Sequence, residues 1–236
     1  MKAARVVDVS RRVQEMLERA AAIPDAGGRV EWISSQFLGF PYIHNPLVGA
    51  ADVREVFTAS LDGFDCVTYM ETALALARSR SERDFPGCLK DIRYRAGKVD
   101  WRSRNHYMTD WIENNVRNGA VRRVAFQGSQ RTKERLLDAV PGLVPRRRRF
   151  SCLPKQALRG AASAQIRSGD LIFFASTRPH LDVFHCGILI RDGGRLLLRH
   201  ASRSQGRVVE QDLGGFLSQN RMAGVIVVRP AERSVR

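Results

Sequence analysis

The sequence predicts an α+β fold, with helices through the first half of the chain and an antiparallel sheet built from its last third. Apolar residues recur at three- and four-residue steps in 5–22 and 65–80, the spacing of one helix face. Beyond residue 170 that pattern gives way to short apolar runs between turn signals: LIFFAS, HCGILI, RLLLRH and GVIVVRP. The 236 residues are 44% hydrophobic and 27% charged, enough for one substantial domain, and these proportions exclude a disordered, collagenous or coiled-coil chain.

Taken in order, the first helix covers 5–22, with Val6, Val9, Val13, Met16, Leu17 and Ala20 at helical spacing. Pro24 and the Gly27-Gly28 pair end it. Residues 30–49, with Gly39, Pro41, Pro46 and Gly49, read as an irregular loop after a short helical or turn segment. The clearest helix is 65–80. Asp65 caps it, Cys66 lies in its first turn, and Val67, Met70, Leu74 and Ala77 face a core. Arg78 and Arg80 stand at its end, where the dipole favours cations. Further helices are expected over 106–116 and 132–139, and Arg146 to Arg149, between Pro145 and Phe150, reads as a loop. Strands are expected at 171–176, 185–190, 195–200 and 224–230. No internal repeat is present, and the division expected is a helical extension over 1–29 followed by a single main domain over 30–236.

Charge is the unusual feature. Thirty-nine basic residues face 24 acids, a net charge of +15, and residues 121–160 hold eleven basic residues against two acids. Such a surplus suits an anionic partner such as nucleic acid, acidic lipid or cell-wall polymer, or else a solvated basic surface. Nucleic acid is the less favoured partner, because only Phe126 and Phe150 offer stacking faces in that stretch and no nucleic-acid motif surrounds it. No apolar run is long enough to span a bilayer, and Arg11, Arg12 and Glu15 interrupt what a signal peptide would need. The expectation is a chain that is cytoplasmic as written, unless another route exports it.

Cys66, Cys88, Cys152 and Cys186 form no CxxC pair, which argues against a zinc ribbon or a disulfide scaffold. Cys66 sits where the positive end of a helix dipole favours a thiolate and where unpaired N–H groups can hold an oxyanion. Asp65 beside it opposes ionisation, so the thiol needs a histidine partner. The plain alternative is a small buried hydrophobe. His185 opens one predicted strand and His200 closes the next, with Asp192-Gly193 between them as a hairpin signal. With those two residues as the loop, His185 lies opposite His200 on one face, Cβ atoms about 5 Å apart. One imidazole then deprotonates the thiol while the other orients it. Zinc held by Cys66, His185 and His200 is a rival chemistry, with Cys186 turned to the opposite face and unavailable; no HExxH spacing supports it, and no GxSxG supports a serine nucleophile.

In order along the chain stand FLGFPYIHNPLVG (37–49), FDCVTYMETALAL (64–76), RYRAGKVDWRSRNHYMTDWIENN (93–115), SGDLIFF (168–174), LDVFHCGILI (181–190) and LLRHAS (197–202). This succession resembles the N-acetylmuramoyl-L-alanine amidase-like family of the NlpC-type papain-fold cysteine hydrolases. The resemblance implies a papain-like fold, with a nucleophile helix packed on an antiparallel sheet and additional N-terminal helices. It also implies Cys66 as nucleophile, His185 as base and His200 as the residue holding the base. Tyr42 falls where a tyrosine stands beside the active site, and Arg104 and His106 fall near the substrate cleft. There an arginine can bind a substrate carboxylate, or the two can belong to a structural hydrogen-bond network. The implied activity is hydrolysis of the muramoyl–L-alanine amide of peptidoglycan fragments through a thioester, without metal or cofactor. An acyltransferase on the same scaffold and a non-catalytic basic binding protein are the alternatives. Phe184 and Cys186 depart from the pattern, replacing a small polar and an aliphatic residue.

Overall fold

The computed structural model describes residues 2–126 and 130–233. Five helices come first: α1 (Lys2–Ala21), α2 (Ala26–Ser35), α3 (Cys66–Arg78), α4 (Phe85–Arg93) and α5 (Met108–Arg117). There follow β1 (Val121–Arg123), β2 (Arg131–Leu137), β3 (Arg146–Cys152), β4 (Leu171–Ala175), β5 (Val183–Asp192), β6 (Arg195–Ser202) and β7 (Arg207–Asp212). Helix α6 (Leu213–Gln219) and β8 (Gly224–Pro230) complete the order. Among the described residues the main sheet runs β1-β8-β4-β5-β6-β7, every pair antiparallel. The fold is therefore α+β, and no described helix is long and apolar enough to cross a membrane.

The apolar runs of the strands have a physical cause. Phe173 and Ile226 face the helices, whereas Ile172, Phe174, Val225 and Val227 face a second cluster closed by Leu213 and Leu217 of α6. Both faces of the central strands are covered, so alternation of polar and apolar residues is lost. On the helix side α3 lies deepest, with Thr68 through Ala77 all buried. Its carboxylate, Glu71, accepts from Arg93 Nε of α4 at 2.7 Å and from Trp111 Nε1 of α5 at 3.1 Å. Arg93 also donates to Thr58 O at 2.6 Å. Val13, Met16, Leu17 and Ala20 bring α1 onto the same core.

Three expectations are corrected. Residues 132–139 are not a helix and the Arg146–Arg149 run is not a loop: β2 and β3 form a two-stranded antiparallel ribbon. Strand alternation explains how four consecutive arginines fit there. Arg146 and Arg148 reach Asp110 and Glu113 of α5, while Arg147 pairs with Glu134 of β2. The local helix formers of 132–139 yield to that pairing. The β5–β6 hairpin also turns at Gly193-Gly194, because both positions have positive φ and glycine takes that conformation without strain. Asp192 then pairs with Arg195, and His200 lies opposite Gly187 instead of His185.

The Glu71–Arg93 pair joins α3 to α4, with side chains only 1% and 3% exposed. Glu71→Ala strands a buried guanidinium and should cost about 3–5 kcal/mol. Arg147→Ser removes a mostly exposed pair and should cost less than about 1 kcal/mol. Urea unfolding of the two variants measures the contrast.

Candidate active site

Cys66 opens α3, held there by a capping box. Asp65 accepts from Thr68 N at 2.8 Å, and Asp65 N donates to Thr68 Oγ1 at 3.0 Å. Tyr69 N bonds Asp65 O, so Cys66 and Val67 carry the leading N–H groups of the helix. The half-buried Cys66 thiol is held well below the ordinary thiol range. A hydrogen bond from the Cys186 thiol is the main cause, with hydrogen bonding and charge from His185 overcoming the opposing effect of burial. Burial and the neighbouring Cys66 charge push the Asp65 carboxyl up to about 6.

His185 and His200 do meet, though not by direct opposition. Strand β5 carries a bulge: Phe174 pairs with His185 and Ala175 with Val183, which leaves Phe184 as the extra residue. Bulges re-aim a neighbouring side chain, and His185 Nε2 reaches His200 Nδ1 at 2.7 Å diagonally across the strand pair. Phe174 stacks on His185 at 6.0 Å between ring centroids, and Phe216 packs against both imidazoles. His200, 3% exposed, is pushed down to about 3 by burial and by the charge of His185, so it is a neutral imidazole. Its Nε2 meets the amide nitrogen of Gln211 at 3.2 Å, the side that donates, with the carbonyl turned away. That amide sets the direction of the chain. With N–H toward Nε2, His200 donates through Nδ1; with C=O there, His200 accepts at Nδ1 and can support an imidazolium at His185. With His185 Nε2 engaged by His200, Nδ1 remains for exchange with Cys66. Because the two imidazoles spend ring nitrogens on one another, their lone pairs do not converge, and no described group of three His, Cys, Asp or Glu forms a metal site.

Alternation does place Cys186 on the face opposite His185, but that is the face carrying α3. Its thiol donates to Cys66 O at 3.3 Å, so the expectation that it stands apart is corrected. Sequence reasoning also missed Gln211. Nothing marks a glutamine near the end of an edge strand as the neighbour of a buried imidazole.

Tyr42 is half-buried, anchored by its N–H to Gly206 O at 2.8 Å. Its hydroxyl is raised by burial, then by charge from Cys66 and Asp65. Arg104 and His106 lie in a cavity of about 440 Å³ that ends at Asp65 and Val67, on either side of Cys66 in the chain. Arg104 Nη1 pairs with Glu55 Oε1 at 3.3 Å, and its guanidinium lies 4.5 Å from the Trp101 ring. His106 Nε2 meets Trp101 O at 2.7 Å, and burial pushes its imidazole down to about 4. Nε2 thus carries the proton of a neutral ring, and Nδ1 is left as an acceptor.

A sequence model of the N-acetylmuramoyl-L-alanine amidase-like family matches residues 32–225. No curated protein matches the chain. Among solved structures, an N-acetylmuramoyl-L-alanine amidase from Bacteroides uniformis is similar, with 29% identity over 88% of this chain and 99% of that one, at a TM-score of 0.79. A Bacteroides fragilis protein named as a candidate xylanase is 31% identical over 84% of this chain and 99% of its own, TM-score 0.73. A Legionella pneumophila protein at 22% identity shares the fold over 98% of this chain and 97% of its own, TM-score 0.83.

The four thiols differ in their surroundings: Cys66 is lowered, whereas burial raises Cys88 and Cys152, and Cys186 is raised by the adjacent Cys66. Iodoacetamide near pH 7 should therefore alkylate Cys66 first. Peptide mapping that finds any other cysteine labelled first overturns this ordering.

The folded value of His106 lies below the unfolded value near 6.5. Between pH 6.5 and 4 the unfolded chain binds a proton that the folded chain refuses, so this contribution is intact above pH 6.5 and lost as pH falls toward 4. At pH 5 the loss should be about 1–2 kcal/mol. Asp65, raised to about 6, acts with the opposite sign and is common to both proteins compared. Urea unfolding at pH 7 and pH 5 should show a smaller loss for His106→Gln than for wild type.

Proposed function

The chain belongs to the N-acetylmuramoyl-L-alanine amidase-like family, and from that premise we propose that it is a cysteine amidase of peptidoglycan fragments, on the NlpC-type, papain-like plan. The observation that carries this reading is a depressed thiol at a helix start beside an imidazole whose far nitrogen rests 2.7 Å from a buried, neutral imidazole. A nucleophile, a base and a group orienting the base are the parts that acyl transfer through a thioester requires.

The Cys66 thiolate attacks the lactyl carbonyl carbon, and the N–H groups of Cys66 and Val67 receive the oxyanion. His185, as imidazolium, gives its proton to the departing nitrogen of L-alanine. The carbonyl carbon is then bonded to Cys66 Sγ as a thioester. His185, now neutral, takes a proton from water as its oxygen attacks that carbon, and the Cys66 thiolate departs. His200 accepts from His185 Nε2–H once the Gln211 amide, whose nitrogen faces His200 Nε2, turns its carbonyl there. Since His200 stays neutral, the proton in transit remains on His185.

Beside Cys66, Tyr42 walls the position of the sugar. Arg104, oriented by Glu55 and Trp101, offers its remaining N–H groups to a carboxylate of the stem peptide. A xylan-cleaving site would instead need two carboxyl groups flanking the bond. The carboxylate nearest the thiol, Asp65, is committed to the capping box, and Glu71 to Arg93 and Trp111.

Incubation with a muramoyl peptide should release free sugar acid and a peptide with a new N-terminal L-alanine, both read by mass spectrometry. The same stem peptide lacking the sugar should stay intact. Cys66→Ala and His185→Ala should abolish turnover, while His200→Asn should keep a measurable fraction. Release of a dipeptide by cleavage after D-glutamate would overturn the bond assignment, and full turnover by Cys66→Ala would overturn the mechanism.

A further inference from the structure

We propose that Gln211 is a positioning residue with two settings: its side-chain amide, turning together with that of Gln205, reverses the hydrogen-bond chain through His200 and decides whether His185 can hold a second proton. The proposal rests on His185 being the base, and it concerns how a buried, uncharged chain serves a group that must change charge.

The chain of hydrogen bonds runs in one direction as it stands. Gln211 Nε2 lies 3.2 Å from His200 Nε2, and an amide nitrogen only donates, so His200 Nε2 is the acceptor. Gln205 Nε2 donates in turn to Gln211 Oε1 at 3.3 Å, which fits the same orientation. A neutral His200 then carries its proton on Nδ1 and donates it to His185 Nε2 across 2.7 Å. In that setting His185 keeps one proton, on Nδ1, for its hydrogen bond to Cys66. A second proton on Nε2 would meet the N–H of His200 head-on. Giving the only proton to a leaving amine would leave an imidazolate. This setting therefore stabilises the thiolate and does not complete the acid step.

Both amides have room to turn. Gln211 is half-buried on β7, the last strand of the sheet, and Gln205 is exposed in the β6–β7 turn. Backbone holds that turn, with Tyr42 N donating to Gly206 O at 2.8 Å and Gly206 N to Arg203 O at 3.3 Å, so only side chains need move. An amide presents donor and acceptor in nearly the same shape, and rotation of both glutamines exchanges their hydrogen bonds one for one. Gln205 Oε1 then accepts from Gln211 Nε2, and Gln211 Oε1 accepts from His200 Nε2–H. The protons balance: one enters from solvent at His200 Nε2, while His200 Nδ1–H passes to His185 Nε2 and makes it the imidazolium. Each imidazole acts on the other, and Cys66 acts on His185 from α3. Asp65 and Tyr42 interact with Cys66 in turn, while β4 and α6 present the uncharged Phe174 and Phe216.

Nitrogen NMR of the histidine rings distinguishes the two settings without substrate. As the wild-type chain is taken to lower pH, His200 should stay neutral while its proton moves from Nδ1 to Nε2 in step with the charging of His185. Gln211→Glu offers only an acceptor, so His200 there should carry its proton on Nε2 at both ends of the titration. His185 in that variant should titrate about one pH unit higher, about a tenfold shift toward the imidazolium. Added charge alone would also move that titration, so the tautomer of His200 is the deciding signal. A wild-type His200 whose proton stays on one nitrogen throughout overturns the proposal. A Gln211→Glu chain in which the proton still moves from Nδ1 to Nε2 also overturns it, since position 211 then does not govern the direction. Either result leaves the amidase reading untouched. A wild-type chain that shows the switch and yet releases no product from a muramoyl peptide overturns the amidase reading and leaves the two settings standing.

Discussion

Helix α3 is buried along nearly its whole length, and that constraint organises the rest of the molecule. A helix without a solvent face must have its polar groups satisfied from inside the protein. Glu71, its one carboxylate, is answered by Arg93 and Trp111, which fixes α4 and α5 around it. At the C-terminal end Arg78 donates to Ala231 O at 2.7 Å, tying that end to the chain beyond β8. At the N-terminal end the capping box supplies the partners, and Cys66 and Val67 there are only half-buried. Cys66 occupies that end, so its position is as rigid as the core and its thiol is still reachable.

The opposite face of the sheet shapes the second half of the site. Leu213 and Leu217 of α6 cover β4, β5, β6 and β8, and Phe216 brings an aromatic wall against both imidazoles. Burial of that kind makes a charged His200 expensive. A neutral imidazole differs from a carboxylate in this position because it can donate or accept but cannot neutralise the charge of His185. The Gln211 amide has the same property one step further out. The orienting chain is therefore uncharged from end to end, and its direction is set by which group Gln211 presents.

How much of this was legible in the sequence depends on whether local or distant residues decide each feature. Helix α3 and its cap lie in one continuous segment, and the strands LIFFA and GVIVV announce double-sided burial by composition. The pairing of His185 with His200 was legible as a shared face, while its register was not. Asp-Gly and Gly-Gly are both good turns, and the chain takes the second, with both glycines at positive φ. The β2–β3 ribbon was illegible because its arginines find their acids on α5 and on the opposing strand, at sequence separations that no local pattern reports. Cys186 was legible as a departure, but the helix covering its face was not.

The start of α3 sets two requirements against one another. Capping a buried helix favours aspartate at position 65, because its carboxylate satisfies Thr68 N and complements the dipole. A thiolate at position 66 needs that same dipole, and the two charges repel at the closest separation the chain allows. The molecule's answer is unequal. Asp65 moves up to about 6, close enough to neutral pH that its charge is easily lost, while Cys66 is drawn down by His185 and Cys186. Serine or asparagine at the cap would relieve the repulsion and satisfy Thr68 N nearly as well. The cap therefore opposes formation of the nucleophile, and the two neighbours from β5 offset that opposition.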